Sequence, residues 1–487
     1  MGIIFKQSFK NSLIIYLGFL IGGINTIIFY PRFLDSDYYG LVSFLLSASN
    51  LFMPLIALGI HFTIIKFFSA YKEKEERDKF MSIILFFPLF VAIPTGFLWD
   101  SFHDWIMSFC PEENKIFAKD YTPVIYIVAL SCAYFEVFYA WAKVQLQSVF
   151  GNVLKEFWNR AVVMILLISV FFGWITKPEF IYILTGAYIL RTLVMMIYAF
   201  KLYLPKFSFQ VPENFSEVVK YSAYIILAGS AGAIILDIDK VMIPGKETFE
   251  QAAYYSVAVF IGSFIEAPSR AMRQILQPLT SKTLNENDEK EVNSLYKRSS
   301  INLLFIGGLF FLLINCGVHE LFKLMPEGYS GGELVVLLIS LVKLYHMLLG
   351  NNGDIINNSK FYRIILPLSV GMALSVYFLN KLFYFRLDYG TEGLAIATFL
   401  TIYFFNSIKL WFVYYKFKMV PFTNKTLIML FIIAALFGAF YFWNFNFHPL
   451  INIALKSILI TIVYLVISIR LKISPEINRL VSRFIKI

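Results

Sequence analysis

The sequence predicts an all-α polytopic membrane protein with about fourteen transmembrane helices, and three observations carry that prediction. First, 59% of the 487 residues are hydrophobic and only 15% charged, whereas soluble domains run near 45–50% apolar and about 25% charged. Second, the apolar residues form long runs separated by short polar segments. Third, the cations lie in alternate connections between those runs. In lipid every backbone amide must find a partner within the chain, so open-ended spans of this length must be helical.

A bilayer core of about 30 Å needs about 20 helical residues. By that length the spans fall near 11–31, 40–65, 81–99, 121–142, 159–176, 179–200, 219–243, 251–275, 299–318, 332–350, 361–380, 391–415, 424–443 and 450–469. The first run follows Lys6 and Lys10, as a secretory leader would, but it has the length of a span and many more follow. It reads as the first membrane helix.

Of the 42 Lys and Arg residues, 30 fall on the side that holds the N-terminus, nine fall opposite, and Arg191, Lys343 and Lys456 lie within spans. Cations accumulate in cytoplasmic loops, so both termini are expected in the cytoplasm of a bacterial inner-membrane protein, with an even number of spans. The net charge of +10 is therefore topological and does not mark a nucleic-acid partner. The cysteines Cys110, Cys132 and Cys316 are too few and too scattered for a disulfide framework or a metal site and read as small packing residues.

Two connections on the N-terminal side stand out. Residues 201–218 contain two prolines and separate the first six spans from the rest. Residues 277–298 hold Gln277, Pro278 and the charged run Asn285–Lys290, read as an amphipathic turn or short surface helix. An internal echo supports a duplicated plan. A Pro, a polar turn, Tyr-Tyr, a small residue and an apolar helix follow Tyr30 (with Tyr38–Gly40), and the same order follows Ile243 (with Tyr254–Ser256). The chain then divides into a lobe over 1–205, a second over 206–420, and two further spans with a tail over 421–487.

Arg32-Phe33-Leu34 through Tyr38-Tyr39-Gly40-Leu41 joins spans one and two. Asp239-Lys240-Val241-Met242-Ile243 ends span seven, followed by Tyr254-Tyr255 and Pro278-Leu279. Asn380 precedes Tyr389-Gly390-Thr391-Glu392-Gly393-Leu394-Ala395-Ile396-Ala397-Thr398, which enters span twelve. In this order and at these positions the stretches resemble the oligosaccharide flippases of the multidrug/oligosaccharidyl-lipid/polysaccharide exporter superfamily, the branch that serves O-antigen and capsule repeat units. The resemblance covers nearly the whole chain, with Ser256 in place of a second Gly and Leu394 where Ala is usual. It implies a V-shaped pair of six-helix lobes around a hydrated cavity that opens alternately to each side. It also implies a cargo, an oligosaccharide on undecaprenyl pyrophosphate moved from the cytoplasmic to the periplasmic leaflet. Membrane lipids and other polysaccharide-assembly membrane proteins are the further partners it suggests.

Such a cargo needs cations for its pyrophosphate inside the membrane, where a charge costs roughly 2.5–3.5 kcal/mol at a helix centre. Arg191, mid-span in span six, either grips phosphate with its two-pronged guanidinium or pairs with a neighbouring carboxylate. Glu266, Arg270 and Arg273 share one face of span eight by their spacing of four and three, as a cationic wall or as an intrahelical ion pair. Lys343 and His346 lie one turn apart in span ten. Asn25, below Gly18, Gly22 and Gly23, lies on a small-residue face of span one. Glu136, Asp237, Asp239 and Glu266 are candidates for a coupling H⁺ or Na⁺ or for gating pairs with cations such as Lys240, Asp239 otherwise being a helix cap. Glu136 shares a helix face with Lys143.

No cofactor is expected, because the sequence holds no nucleotide loop, no His/Cys ligand spacing and no catalytic set. The competing readings are a drug/cation antiporter of the same superfamily, which needs an acidic rather than a cationic site, and a membrane polysaccharide polymerase or ligase, which needs a large loop at the far face.

Overall fold

A computed structural model describes residues 2–474 apart from 209 and 446, so the basic tail over 475–487 lies outside the described residues. In chain order the main helices are α1 (Gly2–Ile24), α2 (Ser36–Ala57), α3 (Ile60–Phe67), α4 (Lys74–Phe97), α5 (Trp99–Ser108) and α6 (Pro123–Val144). They continue with α7 (Asn159–Phe171), α8 (Lys177–Leu202), α9 (Phe215–Met242), α10 (Phe249–Ser263), α11 (Ala267–Asn285) and α12 (Glu289–Phe322). The last are α13 (Glu333–Leu348), α14 (Ile365–Asn380), α15 (Gly390–Phe417), α16 (Asn424–Tyr441) and α17 (Pro449–Arg470). No strand occurs among the described residues.

Each expected span falls largely on helix, and ten helical stretches among the described residues are long and apolar enough to cross a bilayer. The remaining four are α7, which is short; α9, described only in part; α10–α11, interrupted by a 3₁₀ turn over Phe264–Glu266; and the 16-residue α13. Side chains such as Phe90, Phe97 and Phe431 stand exposed, as lipid-facing residues do in a multi-pass membrane protein.

Span two departs from its expected continuity. It breaks between α2 and α3, where Leu58 (φ 47°) and Gly59 (φ 68°) both adopt the left-handed conformation. Only glycine suits position 59, because a Cβ there would lie 2.5 Å from Ile225 Cγ2 and 3.1 Å from the Ser222 carbonyl oxygen. The break thus lets α9 come close, and Thr63 and Ser222 share a hydrogen bond of 2.7 Å beside it. Of the two forms expected for the charged run 285–290, a turn or a short surface helix, the structure shows the turn. It forms no separate surface helix. It is the tight junction between α11 and α12, with Asn287 left-handed and Asp288 capping the amide of Glu291 at 3.0 Å.

Contacts group the chain into two compact units. One comprises residues 20–256 and 366–378; the other comprises 1–19, 257–365 and 379–487. In the first unit α6 is the central rod, flanked by α2, α3 and α8. Its small, regularly placed residues Ala129, Ala133 and Ala140 are buried and allow close approach. A capping box starts α8: Thr176 accepts from the Glu179 amide, Glu179 accepts from the Thr176 amide, and Pro178 sits in the first turn. The linker after α8 is fastened back, with Trp141 Nε1 donating to the Tyr203 carbonyl (3.1 Å) and Tyr203 Oη donating to Asp78 (2.5 Å).

The two echoing segments meet inside this unit. Ser36 Oγ donates to Glu250 at 2.7 Å, the Ser43 and Ser256 hydroxyls lie 2.6 Å apart, and Phe44 meets Phe249 edge to face. A Cβ on Gly40 would lie 1.7 Å from the Phe249 carbonyl oxygen, so the crossing of α2 over the start of α10 requires glycine.

In the second unit α12 is central, packed by α13, α16 and α17. Lys456 of α17 is buried there, donating to the Cys316 carbonyl at 3.0 Å and to Asn444 at 2.7 Å, while Asn452 donates to Glu320 at 3.3 Å. This span charge is therefore absorbed in holding the last helix pair. All three cysteines are free and buried, and burial pushes the Cys110 thiol up to about 11, which fits packing residues.

Candidate functional site

Each unit contains a cation-rich cluster of charge among its helices. In the unit built on α6, Cys132, Glu136 and Lys143 follow one another down a helix face. Glu136 finds its partner on another element: Lys155 Nζ donates to Glu136 Oε1 at 2.6 Å. Lys155 belongs to a π-helical segment, Val153–Trp158, that leads into α7. Widening the helix there redirects one turn of side chains, a feature often found at functional positions. The same segment holds Glu156, paired with Arg160 at 3.1 Å. The Arg160 carbonyl accepts from Asn25 Nδ2 at 2.7 Å, and Asn25 opens a second π segment, Asn25–Phe29, after α1. Asn25 is thus a polar strut between two distorted helices. Lys143 shares the helix face of Glu136, as its spacing predicts, lies within electrostatic reach of it, and places its ammonium 3.8 Å from the Tyr139 ring centre.

Arg191 is 4% exposed. Its guanidinium lies 4.2 Å from the Phe135 ring centre and 4.9 Å from that of Tyr188, with Nη2 3.3 Å from Cys132 Sγ. Its Nε has no hydrogen-bond partner, and among the described residues no carboxylate forms an ion pair with it. Aromatic faces stabilise it by about 0.5–2 kcal/mol each. The arrangement leaves a buried donor for a ligand.

Asp237 accepts from Ser47 (2.9 Å) and Asn50 (3.2 Å) and lies 3.7 Å from Lys240. Asp239 is buried and accepts from Tyr255 Oη at 2.5 Å, so it is no solvated helix cap. The sequence reading missed His61. It follows the break at Gly59, lies within electrostatic reach of Glu136, Lys143 and Lys155, and has an unpartnered Nδ1. A histidine beside a glycine inside an apolar run was the available signal.

The second cluster centres on Glu266, which ends the 3₁₀ turn before α11. Lys343 Nζ of α13 donates to Glu266 Oε2 at 2.6 Å, and Arg270 Nη2 lies 3.8 Å from the same oxygen. Arg270 also stands 5.2 Å from the Phe19 ring centre. Arg273 pairs differently, donating to His346 Nε2 at 2.7 Å. It acts electrostatically on Lys409 and on Asp354, whose burial, outside the spans, raises its carboxyl above the usual range. The structure thus joins Glu266, Arg270 and Lys343 at one carboxylate oxygen and Arg273 with His346 beside it.

In both clusters cations outnumber carboxylates. Like charges held close inside a membrane repel one another unless counterions are supplied. Such sites suit electrostatic capture of an anion. Among the described residues no three His, Cys, Asp or Glu side chains converge as metal ligands.

Fold and site together define an all-α, multi-pass membrane protein whose two helical units each carry an internal, cation-rich cluster. Residues 4–267 match the family of polysaccharide biosynthesis proteins, over half the chain, and the protein belongs to that family. No curated protein matches the chain. Among solved structures it is similar to one titled "Lipid II flippase MurJ, inward closed conformation", at 15% identity and a TM-score of 0.72 over 95% of this chain and 99% of that one. An inward-facing multidrug resistance MATE family transporter of the MOP superfamily matches at 12% identity and 0.56, over 88% and 94%. A MOP superfamily transporter from Pyrococcus furiosus, whose title describes a binding pocket of reversed polarity, matches at 14% and 0.58, over 88% and 96%. These likenesses establish the fold.

Proposed function

We propose that this protein is a flippase that moves an oligosaccharide on undecaprenyl pyrophosphate from the cytoplasmic to the periplasmic leaflet of the inner membrane. The observation that carries the reading is the excess of cations over carboxylates in the two clusters, above all the buried Arg191, with which no carboxylate among the described residues forms an ion pair, and Lys343 and Arg270 converging on one oxygen. The family's link to polysaccharide biosynthesis and the fold of a lipid II flippase support it. In this reading cations inside the membrane hold the headgroup while the polyprenyl tail stays in lipid. Asp237 with Lys240, and Glu136 with Lys155 and His61, are the sites proposed for a coupling H⁺ or Na⁺ or for gating. A drug/cation antiporter would concentrate carboxylates at its site, the opposite of the balance here.

Depleting the protein from its own cell tests this reading. Surface glycan is expected to disappear while its undecaprenyl-linked repeat unit accumulates on the cytoplasmic leaflet, read by mass spectrometry of extracted lipids. Unchanged surface glycan together with increased sensitivity to cationic drugs would overturn the reading in favour of the antiporter.

A further inference from the structure

Glu266 sets a puzzle for an anion site, because a carboxylate in its centre opposes the ligand. Three features resolve it. Lys343 and Arg270, on different helices, converge on the one oxygen Oε2, at 2.6 and 3.8 Å. The pair is not sealed: the Glu266 and Lys343 side chains are 14% and 13% exposed and Arg270 is 39% exposed, so a ligand can reach the cations Glu266 holds. And Glu266 stands on the 3₁₀ turn Phe264–Glu266 between α10 and α11, followed by Pro268, where the regular helical ladder is interrupted. Its carboxylate is therefore carried on the junction between two helices, outside their regular turns.

We propose that Glu266 is a resident counterion, holding Lys343 and Arg270 together when no cargo is bound and displaced from them by a phosphate or pyrophosphate group. This inference rests on the anionic-cargo reading above and assigns Glu266 a role in it: it competes with the ligand. A diphosphate brings two or more negative charges against the single charge of the carboxylate, so it wins the cations when it arrives. The returning carboxylate then speeds its release. A transporter needs that compromise, since a site that held its cargo too tightly would not turn over.

The test titrates inorganic pyrophosphate into the full-length protein in nanodiscs by calorimetry, comparing wild type, Glu266→Gln, Glu266→Asp and Lys343→Ala. A parallel arm places undecaprenyl pyrophosphate in the nanodisc lipid. Glu266→Gln is expected to tighten binding about tenfold or more, because it removes the competing charge and keeps the shape. Glu266→Asp, which keeps the charge but retracts it from Lys343, should tighten binding about threefold and carries the test if the Gln variant does not fold. Binding to Glu266→Gln or Glu266→Asp no tighter than to wild type, with binding lost in Lys343→Ala, would overturn the counterion role alone. No binding to wild type in either arm would overturn the anionic-cargo reading beneath it. Tightening in both arms assigns the site to a lipid headgroup; tightening with the inorganic ion only supports the counterion role and overturns the lipid source.

Discussion

Lys343→Ala is expected to cut surface-glycan export sharply, and adding Glu266→Ala is expected to restore the stability of the protein without restoring export. The single substitution strands Glu266 with Arg270 alone at 3.8 Å. Removing one partner of a fully buried pair costs about 3–5 kcal/mol, whereas removing both is often close to neutral; for this part-buried pair the cost is smaller and the sign the same. Melting temperature in detergent should therefore fall in Lys343→Ala and recover in the double variant. Export follows a different rule. If Lys343 holds a phosphate oxygen, both variants lack that charge-assisted bond, worth about 2–5 kcal/mol in a desolvated setting, and export falls by about 30-fold to several-thousand-fold. A double variant that recovers stability and export together would make Lys343 a purely structural cation.

Gly40→Ala separates the two echoing segments. The new methyl would lie 1.7 Å from the Phe249 carbonyl oxygen and 2.4 Å from its carbonyl carbon, and these are backbone atoms with no rotamer to yield. Cβ contacts that short do not persist, so α2 and the start of α10 must part by more than an ångström. The 2.6 Å Ser43–Ser256 and 2.7 Å Ser36–Glu250 hydrogen bonds lie on the same crossing and are lost with it. Cysteines at Ser43→Cys and Ser256→Cys measure this directly. They should crosslink readily in the Gly40 background and at least about tenfold more slowly with Gly40→Ala. Equal crosslinking in both would mean that the crossing is loose.

What the sequence discloses follows the range of the forces involved. Burial in lipid acts on every residue of a run, so the helices stand out from composition and length alone. The echo after Tyr30 and Ile243 was equally visible, although nothing in either segment says that Gly40 presses on Phe249. Breaks are harder to see. Gly59 looks like any small residue in an apolar run until Ile225, far along the chain, is placed against it. Partners within the clusters were the least legible. Spacing on one helix suggested Glu266 with Arg270, yet the shorter contact comes from Lys343, 77 residues away. Glu136 shares a face with Lys143 but bonds Lys155, because a π segment turns that lysine toward it. Arg191 was found by its position in mid-span, while its aromatic cradle of Phe135 and Tyr188 belongs to tertiary packing.

The most direct test compares leaflet transfer of two lipids in proteoliposomes containing the purified protein: a polyprenyl pyrophosphate oligosaccharide, and the same sugar on a neutral polyprenyl ether. Cations held inside the membrane should favour the charged headgroup at least about tenfold in initial rate, or about 1.4 kcal/mol. Equal rates, or faster transfer of the neutral lipid, would contradict the account, because the buried charge would then play no part in selecting what crosses.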